Sequence, residues 1–216
     1  MPSDTTTGSD AAHDVGLVLV GGGGHARVVA EGARLAGWAI TGFLDDDPEA
    51  ALAGIEARRL GALALLDHED IGLRHPLILG LGDLALRRKL IPKLAEPVAS
   101  VIHTHASVSP SARIGRGVFI GPGAVVHTGA AIGDHAIINS GAIIEHDCVI
   151  GENAHIAPGA ALGGDVRVGA NTLVGLGARA LPGVRIGVRC VVGMGAAVVT
   201  DVPDGALVFG VPARGG

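Results

Sequence analysis

The sequence lacks tyrosine and is poor in every other aromatic residue, since Phe, Tyr and Trp together make up 2 % of its 216 residues. Hydrophobic residues nevertheless reach 48 %, so any core must be filled with Ile, Val, Leu and Ala. Glycine, by contrast, occurs 36 times and permits many tight turns. This combination favours a repetitive β fold over a helical bundle.

Other absences exclude whole classes of function. The net charge is −5, which argues against the basic surface that nucleic-acid binding requires. The chain has two cysteines, Cys148 and Cys190, which are too few for a disulfide framework. No apolar run approaches the roughly 18 residues that span a bilayer. The polar segment 1–14 has no signal-peptide features, and we expect it to be disordered. We therefore expect a cytoplasmic protein that binds neither nucleic acid nor membrane.

Residues 15–97 have the pattern of a Rossmann-like α/β domain built around a βαβ unit. The run VGLVLV predicts a strand, and RVVAEGARLAGW carries apolar residues at helical spacing. AITGFLDDDP and HPLILGLGD predict further strands, whereas LALRRKLIPKLAE predicts an amphipathic helix. Strands that alternate with helices indicate a small parallel sheet.

A glycine-rich turn, GGGGHA, joins the first strand to the first helix. It matches the G-x-G-x-x-A pattern at Gly21, Gly23 and Ala26, with Asp45 about 20 residues later. Such a turn can seat a phosphate on the helix N-terminus. Two alternatives are a merely flexible turn and a dinucleotide cofactor, although residues 15–97 supply only about half of a doubly wound domain.

Residues 98–203 follow a six-residue repeat. Every sixth residue from Ile102 to Val198 is Ile, Val or Leu, except Ala180, and the residue four positions further on is small. We predict an all-β solenoid in which three hexads form a coil of about 18 residues, with the aliphatic side chain inside. Residues 204–216 are expected to leave the last coil as a tail.

One stretch of the repeat, IIEHDCVIG, places a histidine between two acids. In the repeat register Ile144 and Cys148 point inward, so that Glu145, His146 and Asp147 lie at the outer surface. A neighbouring carboxylate can orient an imidazole and raise its basicity, as a general base requires. On chemistry alone, an ordinary solvated histidine is the alternative.

Five motifs occur in order: GGGGHARVV, FLDDDP, LGLGD followed by RRK, INSGAIIEHDCVIGENAHIAPGAALGGDVRVG, and VFGVPAR. Together they resemble the family of sialic-acid O-acetyltransferases and nucleotide-amino-sugar N-acetyltransferases, whose acyltransferase domain is a left-handed parallel β-helix of hexapeptide repeats. The resemblance extends from about Val15 to Arg214. It implies a nucleotide-sugar-binding N-terminal domain, and a homotrimer with acetyl-CoA bound in clefts between neighbouring solenoids.

The resemblance also implies roles for individual residues. His146 matches the catalytic base and Asp147 the acidic neighbour that increases its basicity, at a position where family members often carry Glu. Glu145 either shares that orienting role or solvates the surface. The implied ligand contacts are Gly23, Gly24, His25, Asp45, Asp46 and Gly82 for the nucleotide sugar, Asn139 beside the acceptor, and His155, Leu176 and Met194 for acetyl-CoA.

The implied activity is acetyl-CoA-dependent N-acetylation of a nucleotide-linked amino sugar, by direct transfer to the amine. Two alternatives use the same scaffold: O-acetylation of a sialic acid or another sugar, and a solenoid that binds without catalysis. We expect no metal, because the remaining solenoid histidines show no ligand spacing and read as exposed or interfacial: His103, His105, His127 and His135.

Overall fold

A computed structural model of the chain describes residues 16–68 and 75–216; the segment expected to be disordered, 1–14, lies outside them. The N-terminal part is a parallel four-stranded sheet, in which the strands lie in the order third, second, first and fourth, with two α-helices and two 3₁₀ helices. Its elements are β1 Leu17–Val20, α1 Gly24–Leu35, β2 Ile40–Leu44, β3 Arg58–Gly61, the 3₁₀ helix Leu63–Asp67, β4 Leu77–Leu79, α2 Leu84–Leu90 and the 3₁₀ helix Ile91–Lys93.

Two details of this domain differ from the sequence prediction. Strand β3 was not predicted, because its sequence RRLG has neither apolar alternation nor a β-branched residue. The helix predicted over LALRRKLIPKLAE is α-helical only as far as Leu90 and continues as a 3₁₀ turn. Pro92 explains the early end, since proline has no N–H for the helix ladder and its ring crowds the preceding turn.

The rest of the chain forms the predicted solenoid of hexapeptide repeats. Each short strand pairs in parallel with the strand one coil further on, as Ile137 does with His155 and Ile143 with Ala161, so the coil repeats every 18 residues. Three parallel sheets form three faces. Face one contains β5 Val101–Ile102, β8 Phe119–Ile120, β11 Ile137–Ile138, β14 His155–Ile156, β17 Leu173–Val174, β20 Val191–Val192 and β22 Leu207–Phe209, with β23 Arg214–Gly215 antiparallel at its end.

The other two faces have the same construction. Face two contains β6 Ser107–Val108, β9 Val125–Val126, β12 Ile143–Ile144, β15 Ala161–Leu162, β18 Arg179–Ala180 and β21 Ala197–Val198. Face three contains β7 Arg113–Ile114, β10 Ala131–Ile132, β13 Val149–Ile150, β16 Arg167–Val168 and β19 Arg185–Ile186. We call the turns from face one to two, from two to three, and from three back to one the first, second and third corners.

The core of the solenoid consists of the two inward positions of the repeat. Ile144 and Cys148 are fully buried in it, as predicted, together with the equivalent residues of the other coils. Ile102, at the open end of the prism, is 37 % exposed because no coil covers it. The segment expected to form a tail, 204–216, includes β22, which extends face one, and the antiparallel strand β23.

The N-terminal domain packs on face one. Phe119 and Ile137, whose side chains point outward from that face, are buried against α1 in one apolar cluster. A Cβ at Gly32 of α1 would lie 3.4 Å from Phe119, so the helix approaches the face closely. Among the described residues, none of the helices has both the length and the apolar character needed to cross a membrane.

Candidate active site

His146 and Asp147 occupy the second corner, between β12 and β13. Asp147 has a φ of 60°, and residues with similarly positive φ, such as Gly129 and Gly141, recur along the corners of the solenoid. Asp is among the residues that tolerate this left-handed conformation. Asp147 therefore occupies a turn position where other coils have glycine, and its side chain lies beside the exposed ring of His146.

The two side chains form a hydrogen-bonded pair. His146 Nδ1 lies 3.0 Å from Asp147 Oδ2, so Nδ1 carries the proton and Nε2 presents a free lone pair. The hydrogen bond to Asp147 raises the pKa of His146, and the charges of Asp147, Glu145 and Asp165 raise it further. The imidazole is therefore oriented and made more basic, as the sequence analysis predicts for a general base.

Two glycines make room for this pair. A Cβ at Gly164, which lies beneath His146 in the next coil, would be 2.4 Å from His146 Nε2. A Cβ at Gly129, in the preceding coil, would be 2.4 Å from Asp147 Oδ1. Any larger residue at either position would displace the pair. Neither glycine was predicted from the sequence, although Gly164 lies 18 residues after His146 and Gly129 lies 18 residues before Asp147, one coil away in each direction.

Glu145 takes no part in the hydrogen bond to His146. Its Oε1 lies 3.9 Å from Nε2 of His127, one coil earlier on the same corner. Both side chains are well exposed, so the pair contributes little to stability. Of the two alternatives for Glu145, the geometry assigns the orienting contact to Asp147 and leaves Glu145 only its charge.

A second group of the implied site residues meets where the N-terminal domain contacts face one. The ring centroids of His25 and His155 are 6.2 Å apart, and His25 also packs edge-on against Phe119 at 5.6 Å. Asn139 Nδ2 lies 3.1 Å from His155 Nε2, while Asn139 Oδ1 accepts the Ser140 N–H. Since the amide NH₂ donates to Nε2, the His155 ring carries its proton on Nδ1.

Both of these histidines are uncharged near neutral pH. Burial, together with the smaller effects of the charges of His155 and Arg87, lowers the pKa of His25 to about 4. Burial and the charge of Arg87 also lower the pKa of His155 to about 4, against a smaller opposing contribution from the Gly82 backbone. Among the described residues, the buried Nε2 of His25 and Nδ1 of His155 have no hydrogen-bond partner of ordinary geometry. Each of the two rings therefore keeps one buried nitrogen without an ordinary hydrogen bond.

The glycine-rich turn leaves an open surface at the start of α1. Gly21 has a φ of 113°, which only glycine adopts readily, and a Cβ there would meet Leu81 at 2.6 Å. At Gly23 and Gly24 a Cβ would meet nothing within 4 Å. Gly23 is the N-cap and offers no capping side chain, so the first N–H groups of α1 remain available to an anion.

The carboxylates of Asp45 and Asp46 are held by backbone N–H groups. Asp45 Oδ2 accepts from Gly22 N at 2.6 Å, which ties the end of β2 to the glycine-rich turn. Asp46 Oδ1 accepts from Leu63 N at 2.9 Å. Arg59, which the sequence analysis missed, donates from Nε to the Asp45 carbonyl at 2.8 Å. The two acids thus shape the loop, and each carboxylate still has a free lone pair for a ligand.

The remaining implied site residues lie at the first corner. Leu176 and Met194 succeed each other in adjacent coils there and are 56 % and 77 % exposed. Asn139 belongs to the same corner, whereas His146 lies at the second corner. In one chain, therefore, the solenoid separates the His146–Asp147 pair from the cluster on face one.

The other solenoid histidines divide into two classes. His105 and His127 are exposed, whereas His103 and His135 are each only 7 % exposed and lie where the solenoid meets the N-terminal domain, His103 beside Gly32 of α1 and His135 with its carbonyl bound by Arg87. His103 Nδ1 accepts the His105 N–H at 3.0 Å, a local turn that brings its ring inward. Within residues 16–68 and 75–216, no three His, Cys, Asp or Glu side chains converge as metal ligands would.

Several proteins of known structure share this architecture. Perosamine N-acetyltransferase from Caulobacter crescentus, crystallised as a histidine variant with CoA and GDP-perosamine, is 40 % identical, with 93 % of this chain and 96 % of that chain covered and a TM-score of 0.87. The chain belongs to the hexapeptide-repeat acetyltransferases. The acetyltransferase domain of PglB from Neisseria gonorrhoeae FA1090 is 34 % identical, with 94 % of this chain and 100 % of that chain covered and a TM-score of 0.88.

Family profiles divide this acetyltransferase as its fold does. The PglD N-terminal domain matches residues 16–94, the bacterial transferase hexapeptide matches 111–146 and 129–164, and the hexapeptide repeat of succinyl-transferase matches 165–200. WeeI from Acinetobacter baumannii AYE shares the fold at 24 % identity, with 93 % of this chain and 99 % of that chain covered and a TM-score of 0.78. A search of curated proteins found no match.

Proposed function

We propose that this acetyltransferase transfers the acetyl group of acetyl-CoA to the amine of a nucleotide-linked amino sugar. The observation that carries the proposal is the His146–Asp147 pair, whose Nε2 is free and whose pKa is raised at an exposed corner. A relative of 40 % identity is named for the N-acetylation of perosamine and was crystallised with CoA and GDP-perosamine. GDP-perosamine is therefore the first acceptor to test.

In the proposed reaction His146 is the general base. The sugar nitrogen attacks the thioester carbonyl, a C–N bond forms, and the C–S bond breaks to release the coenzyme as a thiol. The proton leaves the attacking nitrogen for Nε2 of His146 and passes on to the departing sulfur, while Asp147 stabilises the imidazolium. A base placed in this way typically contributes about 10²–10⁴-fold.

The transfer is proposed to be direct. Cys148, next to the pair in sequence, is fully buried, and its Sγ donates to the Gly163 carbonyl at 3.1 Å. Burial raises the pKa of the Cys148 thiol to about 11, which disfavours the nucleophilic thiolate. Both observations support a mechanism without an acyl-cysteine intermediate.

The acceptor's nucleotide is proposed to bind the N-terminal domain. The open N-terminus of α1 at Gly23 and Gly24 suits the diphosphate, with the backbone of His25 as a further donor. The free lone pairs of Asp45 and Asp46 suit donors of the base and ribose. Since the described part of the domain has four strands and the domain matches the PglD N-terminal domain, a nucleotide sugar is favoured over a dinucleotide cofactor.

We further propose that the site is completed between chains of a homotrimer. His146 lies at the second corner, whereas Asn139, Leu176 and Met194 lie at the first corner and His155 on face one. Because one chain keeps these groups apart, a neighbouring solenoid must bring its first corner to His146 if all of them serve one reaction. The coenzyme is then proposed to lie in the cleft between two solenoids, against Leu176 and Met194. The cytoplasm remains the proposed location, since both substrates are charged and water-soluble.

The proposal is tested by following thiol release from acetyl-CoA with a panel of acceptors. The panel contains GDP-perosamine, UDP- and TDP-linked amino sugars and free sialic acid, and the His146→Ala variant is the control for enzyme-independent hydrolysis. We expect release with one nucleotide-linked amino sugar and its loss in the variant. Release only with sialic acid would establish the O-acetyltransferase alternative, and no release with any acceptor would favour a solenoid without catalysis.

A further inference from the structure

Arg87 is an arginine whose side chain is buried at the junction of the two domains. It lies in α2 and is only 1 % exposed. Its Nη1 donates to the Leu81 carbonyl at 3.0 Å and the Leu79 carbonyl at 3.3 Å, and its Nε donates to Asn153 Oδ1 at 2.8 Å. Its Nη2 donates to the His135 carbonyl. All three guanidinium nitrogens are therefore engaged.

The acceptors belong to both domains. Leu79 is the last residue of β4 and Leu81 lies in the turn between β4 and α2 that contains Gly82, whereas Asn153 and His135 lie at the third corner of the solenoid. The N–H donors of a guanidinium form a rigid planar fork. Because one fork binds acceptors of both domains, it fixes how the Gly82 turn lies on the third corner. Arg87 thus sets the register between the domains.

Asn153 strengthens this connection from the side of the solenoid. It is 1 % exposed and has a φ of 51°, and its Nδ2 donates to the Leu84 carbonyl at the start of α2, at 3.2 Å. The same nitrogen lies 2.9 Å from Asn171 Oδ1 in the next coil. Arg87 and Asn153 therefore each reach into the other's domain.

Burying the charge of Arg87 costs free energy that a contact serving only to hold the two domains together does not require. Burial lowers the pKa of Arg87 to about 10, and no carboxylate of the described residues offsets that shift. Apolar contacts, such as those of Phe119 and Ile137 with α1, hold the domains without burying a charge. The Arg87 charge also helps to lower the pKa values of His25 and His155.

We propose that Arg87 is a positioning residue of the acceptor site. It holds the Gly82 turn in register with His155 and Asn139, so that a nucleotide sugar on the N-terminal domain presents its sugar at a fixed place on the solenoid. This inference rests on the proposed function and adds to it a residue that touches neither substrate.

The test compares Arg87→Gln with Arg88→Gln, a matched change at the next residue of α2, which is exposed. We expect kcat/KM for the nucleotide-linked amino sugar to fall roughly 10- to 100-fold in Arg87→Gln, with KM for acetyl-CoA unchanged. Arg88→Gln should stay within about twofold of the parent. In NMR titrations, the pKa values of His25 and His155 should rise in Arg87→Gln only, a change that loss of stability alone does not produce.

Two further variants keep the inference falsifiable. Arg87→Lys keeps the positive charge but not the planar set of donors, so kcat/KM should fall. His25 and His155 should nevertheless stay uncharged near neutral pH. Should Arg87→Gln not fold, Asn153→Gly removes the Nε acceptor at a φ that suits glycine, and the same selective loss is expected there. Parent-like kinetics in Asn153→Gly, or equal behaviour of Arg87→Gln and Arg88→Gln, would overturn the inference. A parent that acetylates no nucleotide-linked amino sugar would instead overturn the proposed function, while the titrations would still report on Arg87.

Discussion

The imidazole of His146 lies directly over Gly164 of the next coil, where a Cβ would stand 2.4 Å from Nε2 and 2.5 Å from Cε1. The contact joins residues one full coil apart on the same corner of the solenoid. The glycine therefore serves the histidine above it, because its missing side chain leaves the space in which the ring lies.

Replacing Gly164 with Ala should displace the His146 ring and abolish most of the turnover. We expect kcat/KM to fall roughly 10²-fold, because a misplacement of about 1 Å can have this effect, while the free energy of unfolding changes by no more than about 1 kcal/mol. Initial rates and urea denaturation measure the two quantities. In the background of His146→Ala, the same substitution should cost no further activity, and an additional loss there would mean that Gly164 acts independently of the histidine.

Asp147→Asn should lower the pKa of His146 and shift the pH profile. In the parent the hydrogen bond and charge of Asp147 raise the pKa of His146, which must be unprotonated to act as a base, so activity rises as pH increases through that pKa. In the variant the acidic limb of kcat/KM should move to lower pH, and the plateau should fall roughly tenfold because the base is weaker. Asn also tolerates the positive φ at this position. Glu145→Gln is the control, and an equal shift in both variants would contradict the assignment of Asp147.

Complementation between two inactive variants should reveal a site shared between chains. His146→Ala and His155→Ala remove one residue from each side of the proposed site, so each variant alone should be inactive. After the chains are mixed in equal amounts and reassembled, about a quarter of the sites should contain both histidines and regain activity. If both residues served one site within a single chain, no mixed assembly would be active.

Acid should destabilise the junction between the domains before it titrates most carboxylates. His25 and His155 have folded-state pKa values of about 4, against an ordinary value of 6.5, so the unfolded chain binds protons first as pH falls from about 6.5 towards 4. Stability is therefore complete above pH 6.5 and is lost below it, by roughly 1–2 kcal/mol per histidine at pH 5. Urea denaturation at pH 7.5 and at pH 5 measures this loss.

His25→Gln and His155→Gln should each reduce that pH dependence, since a glutamine binds no proton in this range. His105→Gln, a change at an exposed histidine of the solenoid, is the control and should leave the dependence as in the parent. Equal pH dependence in the parent and in all three variants would show that the two interdomain histidines are not the groups responsible.

The amino-acid sequence by itself determined the solenoid and the orientation of its residues. A side chain at Ile144 or Cys148 is inside because the six-residue period repeats the same local turn in every coil, so a register can be read without any distant contact. The same register placed Glu145, His146 and Asp147 at the surface. Strand β3 escaped prediction because it lacks such a period and is held by pairing with β2.

Only the tertiary structure decided how the two domains meet. Arginine is normally exposed, so nothing in LALRRKLIPKLAE distinguishes the buried Arg87 from the exposed Arg88. Asn153 is 66 residues away, and its hydrogen bond with Arg87 follows no repeat. Long-range contacts of this kind depend on how whole helices and sheets pack against each other. For that reason only the folded structure showed that His146 is separated from the interdomain histidines, and that Arg87 sets the register between the domains.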